Sequence, residues 1–208
     1  MVVALSMTPA SAHGFTSVVY IDATSPEKGH LRTQLGLEYD LLVVSAADAT
    51  QDDALFRDGT AAFESQDPAQ QVSALTTHRD SVVRYVTQRF TVGAGETACP
   101  AEPVGDIAIT EREGVPYVLL VLDHTCASSE SSGYELSGRL FADSEGYVRD
   151  VKTIVTYDVD GRSGSAAWTP NTTPSPSARA GRSASGSSSG SAPSTCCSVS
   201  IMFCSCWR

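Results

Sequence analysis

The sequence predicts an α+β domain over residues 13–168: an antiparallel sheet or sandwich of about six strands with one long helix, followed by a disordered tail. Three observations predict it. Segments of alternating apolar and polar residues stand on both sides of a single stretch with helical spacing. They do so without strand–helix–strand alternation, which disfavours a parallel α/β sheet. From Thr169 to residue 195 the chain is almost entirely Ser, Gly, Ala, Pro, Thr and Arg, a composition that buries too little apolar surface to order itself.

At the N-terminus, residues 1–7 are apolar and residues 8–12 end in a small-x-small pattern of the kind signal peptidases cut. Cleavage after Ala12 makes His13 the first mature residue. No Lys or Arg precedes the apolar stretch, so residues 1–12 read as a partial signal peptide whose start lies upstream of Met1. The competing reading is a strand that enters the core. Residues 15–22, β-branched and aromatic, predict a strand, with turn chemistry at residues 25–29. Leu35, Leu37, Tyr39 and Leu41 recur at every second position, so residues 30–44 predict a second strand, paired to the first. Residues 48–64, rich in Ala and Asp, predict a short helix or helical loop. From Pro68 the spacing becomes helical through Val72, Leu75, His78 or Arg79, Val82, Val83, Val86 and Phe90. With Pro68 in the first turn and Asp67 as N-cap, residues 68–89 predict the main helix.

Residues 107–110 and 116–123 predict a hairpin around the turn at residues 111–114. Opposed residues of an antiparallel hairpin share one index sum, and that of Cys99 and Cys126 centres inside this turn. The two cysteines are therefore placed to face each other and form a disulfide, worth roughly 3 kcal/mol and requiring an oxidising compartment. The alternative is two unpaired buried cysteines. Residues 134–141 alternate, residues 143–146 turn, and residues 148–159 alternate again.

The charge distribution excludes some functions. The 208 residues carry 24 acids and 14 bases, net −10. Every acid lies at or before Asp160, and the only bases beyond it are Arg162, Arg179, Arg182 and Arg208. Residues 1–160 thus hold 24 acids and 10 bases, net −14. Such a body repels phosphate backbones and anionic lipid headgroups, leaving cations, neutral ligands or proteins as partners. No apolar run is long enough for a transmembrane helix.

Candidate metal ligands are few. An N-terminal His13 offers an amine and an imidazole, nitrogen donors suited to Ni, Co or Cu. His30, His124 and Asp123, or less readily His78 and Asp22, are placed to complete such a site. No two histidines share a metal-binding spacing, and the plainer reading is solvated or capping histidines, His78 above all. Residues 158–161 resemble the start of a calcium loop, yet Ser163 and Thr169 stand where that loop needs Gly and Glu; they read as a β-turn. The G-x-S-x-G at residues 186–190 lies in low-complexity sequence and reads as accidental. The acidic pairs Asp52–Asp53 and Glu111–Glu113 read as solvated surface. Nothing here supports an enzyme.

The tail has a second reading. If the gene has slipped by one base, residues whose codons begin with T report intended codons with T in the middle, which encode only Phe, Leu, Ile, Met or Val. Cys196–Cys197, Phe203–Cys204 and Cys206–Trp207 then each report Leu, and Met202–Phe203 reports Val. A permitted re-reading from Ala180 is SWAERFWEFFRLGAEHLLFGIDHVLFLLA, an amphipathic segment running into a membrane helix with H-x5-D-H. On that reading Cys196, Cys197, Cys204 and Cys206 are by-products and not a soft-metal site.

Four stretches of the body carry a resemblance: the Ser11-Ala12-His13 start, residues 35–42 (LGLEYDLL), 113–117 (EGVPY) and 146–150 (GYVRD). Over about residues 10–168 the chain resembles the extracytoplasmic N-terminal domain of actinobacterial HupE/UreJ-family membrane proteins, nickel or cobalt permeases. The resemblance implies an exported, non-enzymatic domain whose partners are a divalent metal ion and the permease portion. The residues present carry no counterpart of the family's H-x5-D-H motif, so the transport helices are absent from this chain. The alternative is a free secreted protein-binding module with a Ser/Gly-rich tail.

Overall fold

In a computed structural model of the chain, residues 17–126, 133–169 and 199–201 are described. Strands β1 (Val18–Thr24) and β2 (His30–Glu38) form the expected antiparallel pair, with Tyr20 opposite Gly36. Their odd-numbered residues Val19, Ile21, Leu31, Leu35 and Leu37 are buried. Strand spacing continues in the sequence through Tyr39 and Leu41, but the strand stops at Glu38 and helix α1 (Tyr39–Thr50) begins. Buried Tyr39, Leu42, Val43, Ala46 and Ala47 follow the helical period, and only its first members also fit an alternating one. Helix α2 (Asp53–Ser65) follows, capped by Asp52, whose Oδ1 accepts the Leu55 N–H at 2.9 Å.

The single long helix expected over residues 68–89 is two helices, α3 (Pro68–Thr77) and α4 (Arg79–Arg89), broken at His78. Asp67 caps α3 as expected, accepting the Ala69 N–H at 2.9 Å. The apolar stripe runs across the break, so periodicity did not reveal it. Tertiary hydrogen bonds of the His78 ring hold the corner instead.

Strands β3 (Phe90–Ala94), β4 (Thr97–Cys99) and β5 (Ala101–Pro103) were not expected; they are short and break the alternating pattern with Gly and Pro. The predicted hairpin is β6 (Ala108–Arg112) and β7 (Val115–Thr125). Its turn has Glu113 at φ 53° and Gly114 at φ 80°, the type I′ geometry for which glycine is suited. Then come β8 (Tyr134–Gly138), a 3₁₀ turn (Asp143–Glu145), β9 (Lys152–Val159) and β10 (Arg162–Trp168). The β9–β10 turn at Asp160 and Gly161 is the β-turn expected at residues 158–161. β10 is mostly exposed and rich in Ser, Gly and Ala, so it lacked an apolar signal. Gly164 lies against the Tyr157 ring, which leaves no room for a Cβ.

Seven strands form one sheet in the order β10-β9-β1-β2-β7, with β5 and β6 both on the outer edge of β7. The β1–β9 pair is parallel, which corrects the purely antiparallel expectation. A second sheet runs β11-β8-β3-β4, where β11 is Val199–Ile201. Among the described residues the fold is therefore α+β with four helices and two sheets around one continuous core, more strands and more helices than expected. The signal peptide expected at residues 1–12, and His13, lie outside the described residues. So does the expected disorder of residues 169–208, except at Thr169 and at Val199–Ile201, which pair with β8. No helix among the described residues is long and apolar enough to cross a membrane.

Cys99 and Cys126 are joined, with Cα atoms 4.7 Å apart. The index sum that placed them opposite each other is the register of β5 on β7, where Ala101 faces His124. Nearer the turn, Ala108 faces Leu119, a frame displaced by two, because residues 104–107 bulge out of the ladder. Cys99 ends a strand of one sheet and Cys126 follows a strand of the other, so the bond ties the two sheets together.

Candidate functional site

The register of β2 on β7 puts Arg32 opposite Asp123 and Leu31 opposite His124. Adjacent strand residues point to opposite faces, so Asp123 and His124 are separated by the sheet itself. On the Asp123 face, His30 Nδ1 lies 3.0 Å from Asp123 Oδ2, Arg32 Nε lies 3.8 Å from Asp123 Oδ1, and Glu27 Oε1 lies 3.8 Å from His30 Nε2. Asp123 already shares its charge between a histidine and an arginine, and the arginine repels any cation brought to the pair. On the other face His124 is fully buried, with Nε2 3.0 Å from Thr33 Oγ1 and its ring edge-on to Phe90. Burial brings its pKa down to about 4, against a smaller opposing effect of the Asp123 charge. It is a neutral core histidine.

Of the ligand set His13, His30, His124 and Asp123, the structure thus brings together His30 and Asp123 alone, places His124 across the sheet, and leaves His13 outside the described residues. Asp22 accepts a hydrogen bond from Thr156 on β9 and takes no part. Among the described residues no three His, Cys, Asp or Glu side chains converge as metal ligands do.

Periodicity missed a denser cluster at the α3–α4 corner. His78 Nδ1 is 3.1 Å from Asp52 Oδ2 and Nε2 is 3.0 Å from Asp58 Oδ2. Two carboxylates on two ring nitrogens require both nitrogens to donate, which only the imidazolium does. Burial opposes that charge, but the hydrogen bonds and charges of Asp58 and Asp52 outweigh it and raise the His78 pKa. Asp52 is held down to about 2, chiefly by the Leu55 N–H and the Ser81 hydroxyl. Ser81 donates to Asp52 at 2.7 Å. Its hydroxyl donates to a carboxylate whose pKa is held down to about 2, too weak a base to activate it, so the arrangement is not that of an activated nucleophile. It is a clamp that fastens the start of α2 to the α3–α4 corner. The one signal for it in the sequence is Asp52 at a helix-start position, which reads equally well as surface.

A second polar cluster is also structural. Arg89 Nε is 2.7 Å from Glu145 Oε1 and stacks 4.3 Å over the Tyr85 ring. Tyr85 Oη donates to Glu145 Oε2 and accepts the Phe141 N–H, both at 3.0 Å. Burial, then the Glu145 charge, raises the tyrosine's pKa, so it stays a neutral donor.

No family model matches the chain, and no curated protein matches it.

Proposed function

We propose that this chain is a non-enzymatic, extracytoplasmic binding domain, the outer domain of a HupE/UreJ-like nickel or cobalt permease. The observation that carries export is the Cys99–Cys126 bond between the two sheets of an acidic body, since such bonds persist in oxidising compartments. The family half of the reading rests on the four sequence stretches. In it, the metal ion is the permease's cargo, and this domain's contribution is contact with a partner.

A second reading, a free secreted protein-binding module, is favoured by Val199–Ile201. These residues form β11 on β8, so part of the tail serves the fold. The nucleotide sequence from the codon of Ser165 to several hundred bases past that of Arg208 separates the two. A shifted frame that stays open into apolar helices beginning with H-x5-D-H is the expected result for the permease domain. A frame that closes at once removes the permease reading and leaves the secreted module.

A further inference from the structure

Between the β6–β7 hairpin and the α2–α3 corner lies a groove of about 560 Å³. Its apolar walls come from Phe63, Pro68, Ile109 and Pro116, and its carboxylates are Glu64 and Glu111. Gln71 also lines it, only 3% exposed, and its Oε1 has no hydrogen-bond partner. A buried amide oxygen without a donor is costly, and a half-turn of the amide presents either its acceptor or its donors to the groove.

One wall of this groove is a sheet edge. β6 pairs with β7, and no other strand among the described residues pairs with it. In a two-residue type I′ hairpin the residues flanking the turn, Arg112 and Val115, exchange hydrogen bonds, and the bonded pairs alternate from there. The N–H and C=O groups of Ile109 and Glu111 therefore point away from β7, toward the open edge. Pro116, opposite Glu111, sits where the ladder needs no donor. Ile109 and Glu111 are themselves groove residues.

We propose that the groove receives an extended, basic peptide segment of a partner protein. The segment adds as a strand to the outer edge of β6, sets an apolar side chain against Phe63 and Ile109, and brings Lys or Arg to Glu64 and Glu111. The charge argument selects this occupant. A body of net −14 over residues 1–160 attracts a cationic segment, repels an anionic ligand and repels a second copy of itself. The proposal names the kind of partner for the binding-domain reading, and it stands or falls apart from the family assignment, which the gene sequence decides.

Fluorescence anisotropy on the oxidised full chain tests it, with a labelled peptide of repeating Val-Val-Lys-Lys, which carries both residue types on each face of a strand. Controls are the same peptide with Glu for Lys and one with its central valine N-methylated. Saturable, salt-sensitive binding of the Val/Lys peptide alone is expected. Gln71→Leu weakens it about tenfold, one hydrogen bond's worth, and Glu111→Lys, a change at an exposed strand position, weakens it further. No saturable binding, equal binding of the Glu peptide, or unchanged binding in both variants overturns the proposal. So does a concentration-dependent dimer that excludes the peptide, which assigns the edge to a second copy.

Discussion

His124 is neutral in the fold because burial lowers its pKa to about 4, whereas an unfolded histidine titrates near 6.5. The unfolded chain therefore binds more protons between these values, and stability falls as pH drops from 6.5 toward 4, by roughly 3 kcal/mol. His78 has the opposite sign. Its pKa is raised, so its contribution is full below 6.5 and is lost as pH rises through the folded value. Asp52 does not confuse the comparison, because its window lies between about 2 and the ordinary 3.8. Urea unfolding at pH 4.5, 6 and 8 checks both. His124→Gln is expected to flatten the acid loss. His78→Gln is expected to cost about 1–2 kcal/mol at pH 6 and less at pH 8; an equal cost at both means the clamp does not require the imidazolium.

At the scale of elements, helices α1 and α2 approach closely at one point. A Cβ on Gly59 would stand 2.7 Å and 2.8 Å from the two methyls of Val43, and the Gly59 carbonyl accepts the Tyr39 hydroxyl at 3.3 Å. Gly59→Ala normally gains helix propensity, but here it forces the helices apart and is expected to destabilise by about 1–3 kcal/mol. Pairing it with Val43→Ala restores the space, and thermal melts of the single and double variants show whether the loss is steric. Element scale is also where sequence reading was weakest. Residues 39–43 fit either period, and the periods part only once Ala46 and Ala47 are counted. β10 gave no signal because a mostly exposed edge strand needs no apolar residues. By contrast, the β6–β7 hairpin was legible, since Glu113-Gly114 supplies two positive-φ positions between β-rich runs.

For the whole molecule, the Cys99–Cys126 bond is the one disulfide that ties the two sheets together among the described residues. It closes a loop with a sequence separation of 27, so replacing both cysteines by Ala is expected to cost about 3–4 kcal/mol. Comparing urea midpoints of the oxidised protein and the double variant measures this, and a cost near zero means that core packing alone holds the sheets together. Local sequence was enough for the alternation that makes β1, β2, β7 and β9, the hairpin turn, the cysteine pairing and the acidic body, because each depends on neighbours in the chain or on composition. Tertiary structure alone decided the rest. It broke the helix at His78, since the carboxylates that hold the ring come from Asp52 and Asp58, more than a helix away. It also divided the histidines, because the β2–β7 register turns Asp123 toward His30 and His124 toward the core. A strand shows its period in its own residues, but the partner a side chain meets is set by the strand or helix packed beside it.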